Sequence, residues 1–246
     1  MSSAAIPTIK PKFRGVSHQI AFWISLAMGV ALIAGAKGDR ARLALSIYSI
    51  CLSAMFGVSA AFHRHTWSAQ ARLRMRRLDH SMIFAAVAGT YTPIAVLALH
   101  GETQVFILWL AWLGALTGII LQLAWIRAPK WLNALVYLAL GWASILVLPE
   151  LFRSSGIEAL SLLIIGGVFY SIGAIVYALR RPDPVPEVFG YHEVFHAFVI
   201  IAALCHWIVI AICDVGGPRS GNEVRALVHM LRTQHKAPMA SAPSVA

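Results

Sequence analysis

The sequence YHEVFH, residues 191–196, opens the last long apolar run of the chain, which extends from Phe189 to Cys213. On a helix, His192 and His196 lie one turn apart on one face, with Cβ atoms about 5–6 Å apart. One metal ion can contact two imidazoles at that separation. The same letters form H-E-x-x-H, a zinc-protease signature in which the glutamate is the general base. The alternative is a pair of interfacial histidines on a membrane helix.

Apolar residues dominate the rest of the chain. Hydrophobic residues make up 59% of its 246 positions and charged residues only 12%, whereas a soluble domain has roughly 25% charged residues. The apolar residues form runs long enough to cross about 30 Å of hydrocarbon, and short loops connect them. We therefore predict an all-α, polytopic membrane protein whose seven-helix bundle fills residues 17–213. The predicted spans are Ser17–Ala36, Leu43–Phe62, His80–Leu99, Val105–Ile126, Trp131–Leu151, Ile157–Leu179 and Phe189–Cys213.

The two ends of the chain fall outside this predicted bundle. Residues 1–16 contain two prolines and three basic residues and lead straight into the first span, so we expect a cytoplasmic segment without a cleavable signal peptide. Residues 214–246 are rich in Gly, Pro and Ala, and we expect a flexible tail. Its one amphipathic stretch, Glu223–Leu231, has the pattern of a short helix on the membrane surface.

The chain is strongly basic, with a net charge of +10. In a chain this apolar, we expect the basic residues to set the topology and contact anionic lipids, and we expect no nucleic-acid partner. The predicted loops on the N-terminal side of the membrane carry 12 Lys and Arg, against 4 on the other side without the tail. The positive-inside rule then places the N-terminus in the cytoplasm and the C-terminus outside. We expect a bacterial inner-membrane protein.

Cysteine usage excludes two kinds of site. The three cysteines, Cys51, Cys205 and Cys213, lie within or at the end of predicted spans, and no C-x-x-C pattern occurs. Neither a disulfide framework nor a thiolate zinc site is therefore indicated.

Polar residues from three predicted spans converge at the cytoplasmic membrane face. The second span ends there on Ser59 and His63, the third begins there on Asp79, and the seventh begins there with its histidine pair. Ser59 and His63 are four residues apart and share one helical face. Each residue alone has an ordinary explanation, such as a helix N-cap for Asp79 or a hydroxyl bonded to a backbone carbonyl for Ser59. Together they form the arrangement that a zinc site requires, with about four ligands.

Three further histidines are candidate ligands, although a structural role is favoured for each of them. They are His18, His80 and His206. The last lies on roughly the same helical face as His192, but near 20 Å further along the axis at about 1.5 Å per residue. It cannot share a metal ion with the pair in residues 191–196.

The order and spacing of these motifs resemble the hemolysin III branch of the progestin and adipoQ receptor (PAQR) family. That family belongs with the alkaline ceramidases in a wider superfamily of membrane hydrolases. The resemblance rests on Ser59-x-x-x-His63, on RLD (residues 77–79), on AGTYTP (residues 88–93) and on the histidine pair of the seventh span. It extends from RGVSH (residues 14–18) to Cys213 and leaves the tail outside.

The resemblance implies a seven-helix bundle with a cytoplasmic N-terminus and one buried zinc ion. It also implies that His63, His192 and His196 are the ligands, that Asp79 holds and activates the zinc-bound water, and that Ser59 assists nearby. Relatives often carry an acidic residue just before the first span, where this chain has Lys12 and Arg14 instead. Any role of that position therefore does not carry over.

The first functional hypothesis is a zinc-dependent integral-membrane hydrolase. Zinc bound by three neutral imidazoles lowers the pKa of its water to about 7, and Asp79 would orient that water and accept its proton. A site that opens within the bundle near the bilayer face favours an acyl-chain substrate, such as a lipid amide or ester.

Three other classes of function stay open at this point. A sensor or membrane-homeostasis protein with a structural zinc would use the same ligands, and the hemolysin name suggests a pore-forming cytolysin, for which the chain shows no secretion signal. A membrane metalloprotease needs a further carboxylate ligand, usually in Leu-Asp-Gly on a later helix, whereas Leu78-Asp79 comes earlier and precedes His80. Glu193 lies about 100° around the helix from His192, which favours a partner in a loop or a lipid head group over catalysis.

Overall fold

Helices form almost all of the chain that the structure, a computed structural model, describes: residues 11–125 and 129–216. A short 3-10 helix, Ala143–Val147, follows the fifth α-helix, and among the described residues only an isolated bridge between Val185 and Phe189 has β geometry. The all-α prediction is confirmed. The helices are α1 (Val16–Gly35), α2 (Asp39–Arg64), α3 (Ala69–Ala98), α4 (Gly101–Ala124), α5 (Lys130–Trp142), α6 (Leu148–Leu179) and α7 (Tyr191–Gly216).

The ends of the chain lie largely beyond this description. The predicted tail, residues 214–246, begins inside α7, which continues to Gly216. The remainder of the tail, including Glu223–Leu231, lies outside the described residues, as do residues 1–10.

Six helical stretches of the described chain are long and apolar enough to cross a membrane. Five of them correspond to α1, α2, α3, α4 and α7, and the sixth is a 46-residue stretch, Ala134–Leu179. This chain is therefore a multi-pass membrane protein. The 46-residue stretch contains most of the predicted fifth span and all of the predicted sixth.

The long stretch folds back on itself at Gly156. This residue has φ 83° and ψ −176° inside α6, a conformation that is almost restricted to glycine. Trp142 Nε1 donates a hydrogen bond to Ser171 Oγ at 2.9 Å, although a continuous helix would separate the two residues by roughly 43 Å at about 1.5 Å per residue. The segments on either side of Gly156 therefore run antiparallel.

Helix α3 begins eleven residues before the predicted third span. Ser68 is its N-cap and accepts a hydrogen bond from the backbone N–H of Ala71 at 3.4 Å, and the alanines, leucines and arginines that follow favour a helix. Asp79 lies about three turns into α3, so its interpretation as an N-cap is wrong. Four arginines that the prediction assigned to a loop lie on the first turns of this helix instead: Arg72, Arg74, Arg76 and Arg77.

Small residues bring the first three helices together. A Cβ atom added to Gly29 of α1 would lie 2.8 Å from the Cβ of Ser49 on α2, and one added to Gly89 of α3 would lie 2.6 Å from the Cβ of Cys51 on α2. Close approach of helix backbones at small residues is a general feature of membrane bundles. It positions the C-terminal end of α2 beside α1 and α3, where the site is built.

The proline-rich segment before α7 forms a turn. The carbonyl of Val185 accepts hydrogen bonds from the N–H groups of Val188 and Phe189, both at 2.8 Å. Pro186 occupies the second position of this turn, where its fixed φ is favourable. The three prolines of residues 182–186 predict a rigid extended lead into the last helix. That prediction is wrong at Val185 and Pro186, where the turn begins.

Candidate metal centre

Three histidine side chains from two helices meet at one end of the bundle. His63 lies in the last turn of α2, and His192 and His196 lie at the start of α7. Each offers a ring nitrogen within 4.8 Å of the others, and the Nε2 atoms of His63 and His192 are 3.0 Å apart. The structure therefore brings the three predicted ligands together, and we call them the histidine cluster.

The spacing of the histidine cluster fits a tetrahedral metal ion. Zinc–nitrogen bonds of about 2.0–2.1 Å place two ligand nitrogens roughly 3.3 Å apart, close to the separation of the Nε2 atoms of His63 and His192. The His196 side chain is 1% exposed, and its Nδ1 has no hydrogen-bond partner among the described residues. A buried imidazole nitrogen without a hydrogen-bond partner is unfavourable unless something else binds it. Imidazole donors suit zinc, and also copper, nickel or iron.

The Asp79 carboxylate borders the histidine cluster without belonging to it. Its Oδ2 lies 4.0 Å from His63 Nε2 and 3.6 Å from His80 Nδ1. Both distances exceed the 2.7–3.2 Å of an ordinary hydrogen bond. The carboxylate is therefore beside the ligand set, in the position that a group acting on a bound small molecule would occupy.

His80 has a structural role, as the sequence favoured. Its Nδ1 lies 2.8 Å from the carbonyl of Arg76, one turn earlier on α3, and therefore carries the proton in this contact. Its Nε2 lies 3.3 Å from the hydroxyl of Tyr177 on α6, so the side chain links two helices beside Asp79.

His18 on α1 is the residue of the site that sequence reasoning placed outside it. Its Nδ1 lies 2.9 Å from Ser59 Oγ, and its ring stacks on His196 with centroids 3.7 Å apart and planes 7° apart. The Ser59 hydroxyl also interacts with the Asp79 carboxylate. His18 therefore connects a predicted ligand to the predicted serine, and its place at the start of α1 beside the same membrane face was the available signal.

Residues 7–207 match the family described as "Haemolysin-III related". This chain belongs to the haemolysin-III family. The predicted resemblance to the hemolysin III branch of the PAQR family is confirmed.

Relatives of this haemolysin-III protein occur in bacteria and animals. It is 28% identical to "Hemolysin-3 homolog" of Bacillus subtilis over 197 residues. This aligned region covers 78% of this chain and 89% of the relative. It is 29% identical over 188 residues to "Hemolysin-3" of Bacillus cereus, with 75% and 83% covered. It is 27% identical over 169 residues to "Monocyte to macrophage differentiation factor" of Homo sapiens, with 67% of both chains covered.

The glutamate of the H-E-x-x-H string is bound to the backbone and to an arginine. Glu193 is 1% exposed, and its Oε2 accepts a hydrogen bond from the N–H of Gly190 at 2.9 Å. Its Oε1 forms an ion pair with Arg14 Nε at 2.5 Å. These partners agree with the predicted loop contact, and they leave both carboxylate oxygens engaged by groups that precede α1 and α7.

The same ion pair holds an N-terminal strap, residues 11–15, against the histidine cluster. The N–H groups of Lys12 and Phe13 donate to carbonyls of the turn before α7 at 3.0 and 3.1 Å. Gly15 has φ 80°, and a Cβ atom there would lie 2.6 Å from the Cβ of His63. The strap therefore contacts both the end of α2 and the start of α7, which carry the three ligands.

A cavity of about 160 Å³ extends from the site into the bundle. Its lining includes His18, Ser59, Asp79 and the two histidines of α7, and also His206. His206 follows His196 by ten residues, which corresponds to about 15 Å along α7. The remaining lining is largely apolar and includes Ile83, Val87, Ile94, Leu138, Leu163 and Val199.

The buried ion pair generates a prediction about stability. Arg14→Ala leaves the Glu193 carboxylate buried without its cation, and breaking a buried pair in this way costs about 3–5 kcal/mol. We expect the melting temperature of the purified protein in detergent to fall clearly, and the metal content to fall with it.

Lys12→Ala is the matched control, because Lys12 is exposed and contributes only its backbone to the strap. The double variant Arg14→Ala/Glu193→Gln removes the uncompensated charge and should recover part of the loss. Equal melting temperatures for Arg14→Ala and Lys12→Ala would contradict the proposed importance of the ion pair.

Proposed function

We propose that this haemolysin-III protein is a zinc-dependent membrane hydrolase that cleaves an amide or ester bond of an acyl lipid. The observation that carries this proposal is the position of Asp79 Oδ2, 4.0 Å from His63 Nε2 at one end of a largely apolar cavity. A metal-binding donor set, a carboxylate outside that set and an apolar cavity are the parts that metal-assisted hydrolysis of a lipid requires.

Each residue of the site has a separate role in this proposal. His63, His192 and His196 would hold the ion, which when bound supplies Lewis acidity and a lowered water pKa of about 7. Asp79 would accept the proton of the attacking water and return it to the leaving amine or alcohol. Ser59, held at 2.9 Å by His18, would orient the Asp79 carboxylate, and His18 would support His196 through its stacked ring.

The dimensions of the cavity favour an acyl chain as the bound part of the substrate. His196 and His206 lie about 15 Å apart along the axis of α7. This distance is half of a hydrocarbon core of about 30 Å and therefore equals the depth of one leaflet. Each methylene group buried there contributes about 0.8 kcal/mol. The chain would anchor the lipid, and its amide or ester group would lie at the polar end beside Asp79.

A second candidate function is a sensor or membrane-homeostasis protein with a structural zinc. The specific observation in its favour is that the site joins four helices, since α1, α2, α3 and α7 each contribute a contacting side chain: His18, Ser59, Asp79 and His196. A metal ion that only braces these helices would need the same ligands. A protease role for Glu193 has less support, because Arg14 and the Gly190 N–H bind its carboxylate.

The proposed topology has seven crossings, with the N-terminus and the histidine cluster at the cytoplasmic face of a bacterial inner membrane. The antiparallel fold at Gly156 supports two crossings within Ala134–Leu179. The arginines on the first turns of α3 lie near the membrane end that carries His63, as the positive-inside rule requires of a cytoplasmic face.

The metal ligands can be tested by stoichiometry. Protein purified without chelator should contain about one zinc ion per chain, and His63→Ala, His192→Ala and His196→Ala should each lose most of it because three imidazoles hold the ion. His65→Ala is the control, since His65 is exposed and follows the last turn of α2. Metal analysis by mass spectrometry measures the ratio. Full zinc in His63→Ala would indicate another third ligand, with His80 or His18 next in line.

Reporter fusions test the topology. A cytoplasm-active reporter at Met1 and one after Arg181 should both be active, whereas a periplasm-active reporter should work after Ser155 and after Gly216. The fusion after Ser155 distinguishes two crossings from one within Ala134–Leu179. A cytoplasmic signal after Gly216 would contradict an odd number of crossings.

The role of Asp79 separates catalysis from a structural zinc. Asp79→Asn keeps the shape of the side chain but removes the base, so zinc content and melting temperature should be retained. Turnover of a lipid amide or ester should fall about 10²–10⁴-fold, as expected for lost general-base catalysis. The measurement pairs zinc per chain with product release from a panel of ceramides and acyl esters, and Asp39→Asn at the exposed start of α2 is the control.

Two outcomes would contradict the mechanism. A wild-type protein that holds full zinc and hydrolyses none of a broad panel favours the sensor, in which loss of the carboxylate changes metal affinity by about 10–100-fold. An Asp79→Asn protein that hydrolyses at the wild-type rate excludes Asp79 as the base.

A further inference from the structure

His206 is a polar side chain of the cavity lining that lies well away from the histidine cluster. It lies on α7, lines the cavity, and is about 15 Å along the helix axis from His196. It can take no part in the metal site at that distance. The question is what an imidazole does in a largely apolar lining at that depth.

Its hydrogen bond identifies the nitrogen that carries the proton. Nε2 lies 3.2 Å from the backbone carbonyl oxygen of Leu163 on α6. A carbonyl only accepts hydrogen bonds, so Nε2 is the donor. In a neutral imidazole Nδ1 is then unprotonated and is an acceptor. Within the described residues, no hydrogen bond to this Nδ1 is formed.

Gly166 determines which edge of the ring is available. A Cβ atom added to Gly166 would lie 2.5 Å from both Cδ2 and Nε2 of His206. The Cδ2–Nε2 edge therefore lies flat against α6 at a position where only glycine leaves room. The opposite edge, which contains Nδ1, is directed away from Gly166, and His206 is part of the cavity lining.

Neighbouring polar groups of the cavity are engaged elsewhere. Trp142 Nε1 donates to Ser171 Oγ at 2.9 Å. The hydroxyl of Tyr91 donates to the carbonyls of residues 140 and 141 at 2.9 and 2.8 Å. The ring of Tyr170 is 5.5 Å from that of His206, centroid to centroid, without a hydrogen bond between them. The acceptor Nδ1 is therefore left for a donor that a ligand in the cavity can bring.

We infer that His206 is a specificity-determining residue whose Nδ1 accepts a hydrogen bond from a hydroxyl group part-way along a bound acyl chain. The inference rests on the proposed function, since it takes the acyl lipid as the occupant of the cavity. An extended carbon chain with bonds of about 1.5 Å advances roughly 1.25 Å per carbon. The 15 Å to His206 then corresponds to about 12 carbons from the group that is cleaved. The preferred ligand class is a long acyl chain hydroxylated near that carbon.

The test compares two fatty acids of equal length, stearic acid and 12-hydroxystearic acid, as ligands of the full-length zinc-loaded protein in detergent. Displacement of a fluorescent fatty acid measures both affinities. The wild type should bind the hydroxylated acid about 3- to 10-fold more tightly, which is the net effect of one additional hydrogen bond in a buried site.

Variants of His206 assign the effect to Nδ1. His206→Leu should bind both acids equally, with its affinity for stearic acid retained. His206→Asn places a carbonyl oxygen near the position of Nδ1 and should keep a preference for the hydroxylated acid. His206→Gln retains an N–H donor near the position of Nε2 but has no acceptor near Nδ1, so it should lose the preference for the hydroxylated acid. If the His206→Leu protein does not fold, His206→Gln serves in its place.

The outcomes separate this inference from the proposed function. Equal affinities in the wild type overturn the role of His206 and leave the acyl-lipid cavity standing; water bound at Nδ1 would give this result. A preference that persists in His206→Leu or His206→Gln also overturns it. Binding of neither acid overturns the acyl-lipid cavity itself, and the inference with it.

Discussion

The structure depends on the requirement that polar groups inside a membrane find partners within the protein. Helices satisfy the backbone, but the buried side chains of His18, Ser59 and His196 depend on other side chains of the site or on a ligand. The stacked pair of His18 and His196, with the hydroxyl of Ser59 at 2.9 Å, joins three helices by this means. The polar site is therefore also a point at which the bundle is held together, and its chemistry and its stability share the same contacts.

The sequence predicted the features that depend on local periodicity and on hydropathy. Apolar runs indicated where the helices cross, and the four-residue spacing of His192 and His196 indicated their common face. The helix ends were less accessible, because hydropathy reports the thickness of the hydrocarbon and not the length of the helix. The first turns of α3 extend beyond the apolar run, since Ser68 caps the helix and the residues after it favour helical structure. The turn at residues 185–189 depends on the position of Pro186, which the composition of the segment does not reveal.

The sequence predicted those parts of the site that depend on the spacing of residues along a single helix. Pairs such as Ser59 and His63 follow from spacing along one helix, whereas the contact between His18 and Ser59 depends on how α1 is rotated about its own axis. This rotation is determined by packing between helices, for example by the close approach of Gly29 to Ser49. Residue spacing along one helix does not predict it. Glu193 shows why a short motif is not sufficient: its string matches a protease signature, but its position on the helix favours a loop partner, and its carboxylate is bound to Arg14 and to the Gly190 N–H.

The N-terminal strap has a consequence for the order in which the molecule is made. Arg14 precedes all seven described α-helices along the chain, whereas its partner Glu193 lies on α7, the last of them. The strap that contains Gly15 is likewise hydrogen-bonded to the turn ahead of α7, which is synthesised much later than the strap itself. The site is thus completed only after α7 has been synthesised. A chain that stalls before α7 lacks two of the three clustered histidines and the carboxylate that secures the strap, so only chains that include α7 carry the complete histidine cluster.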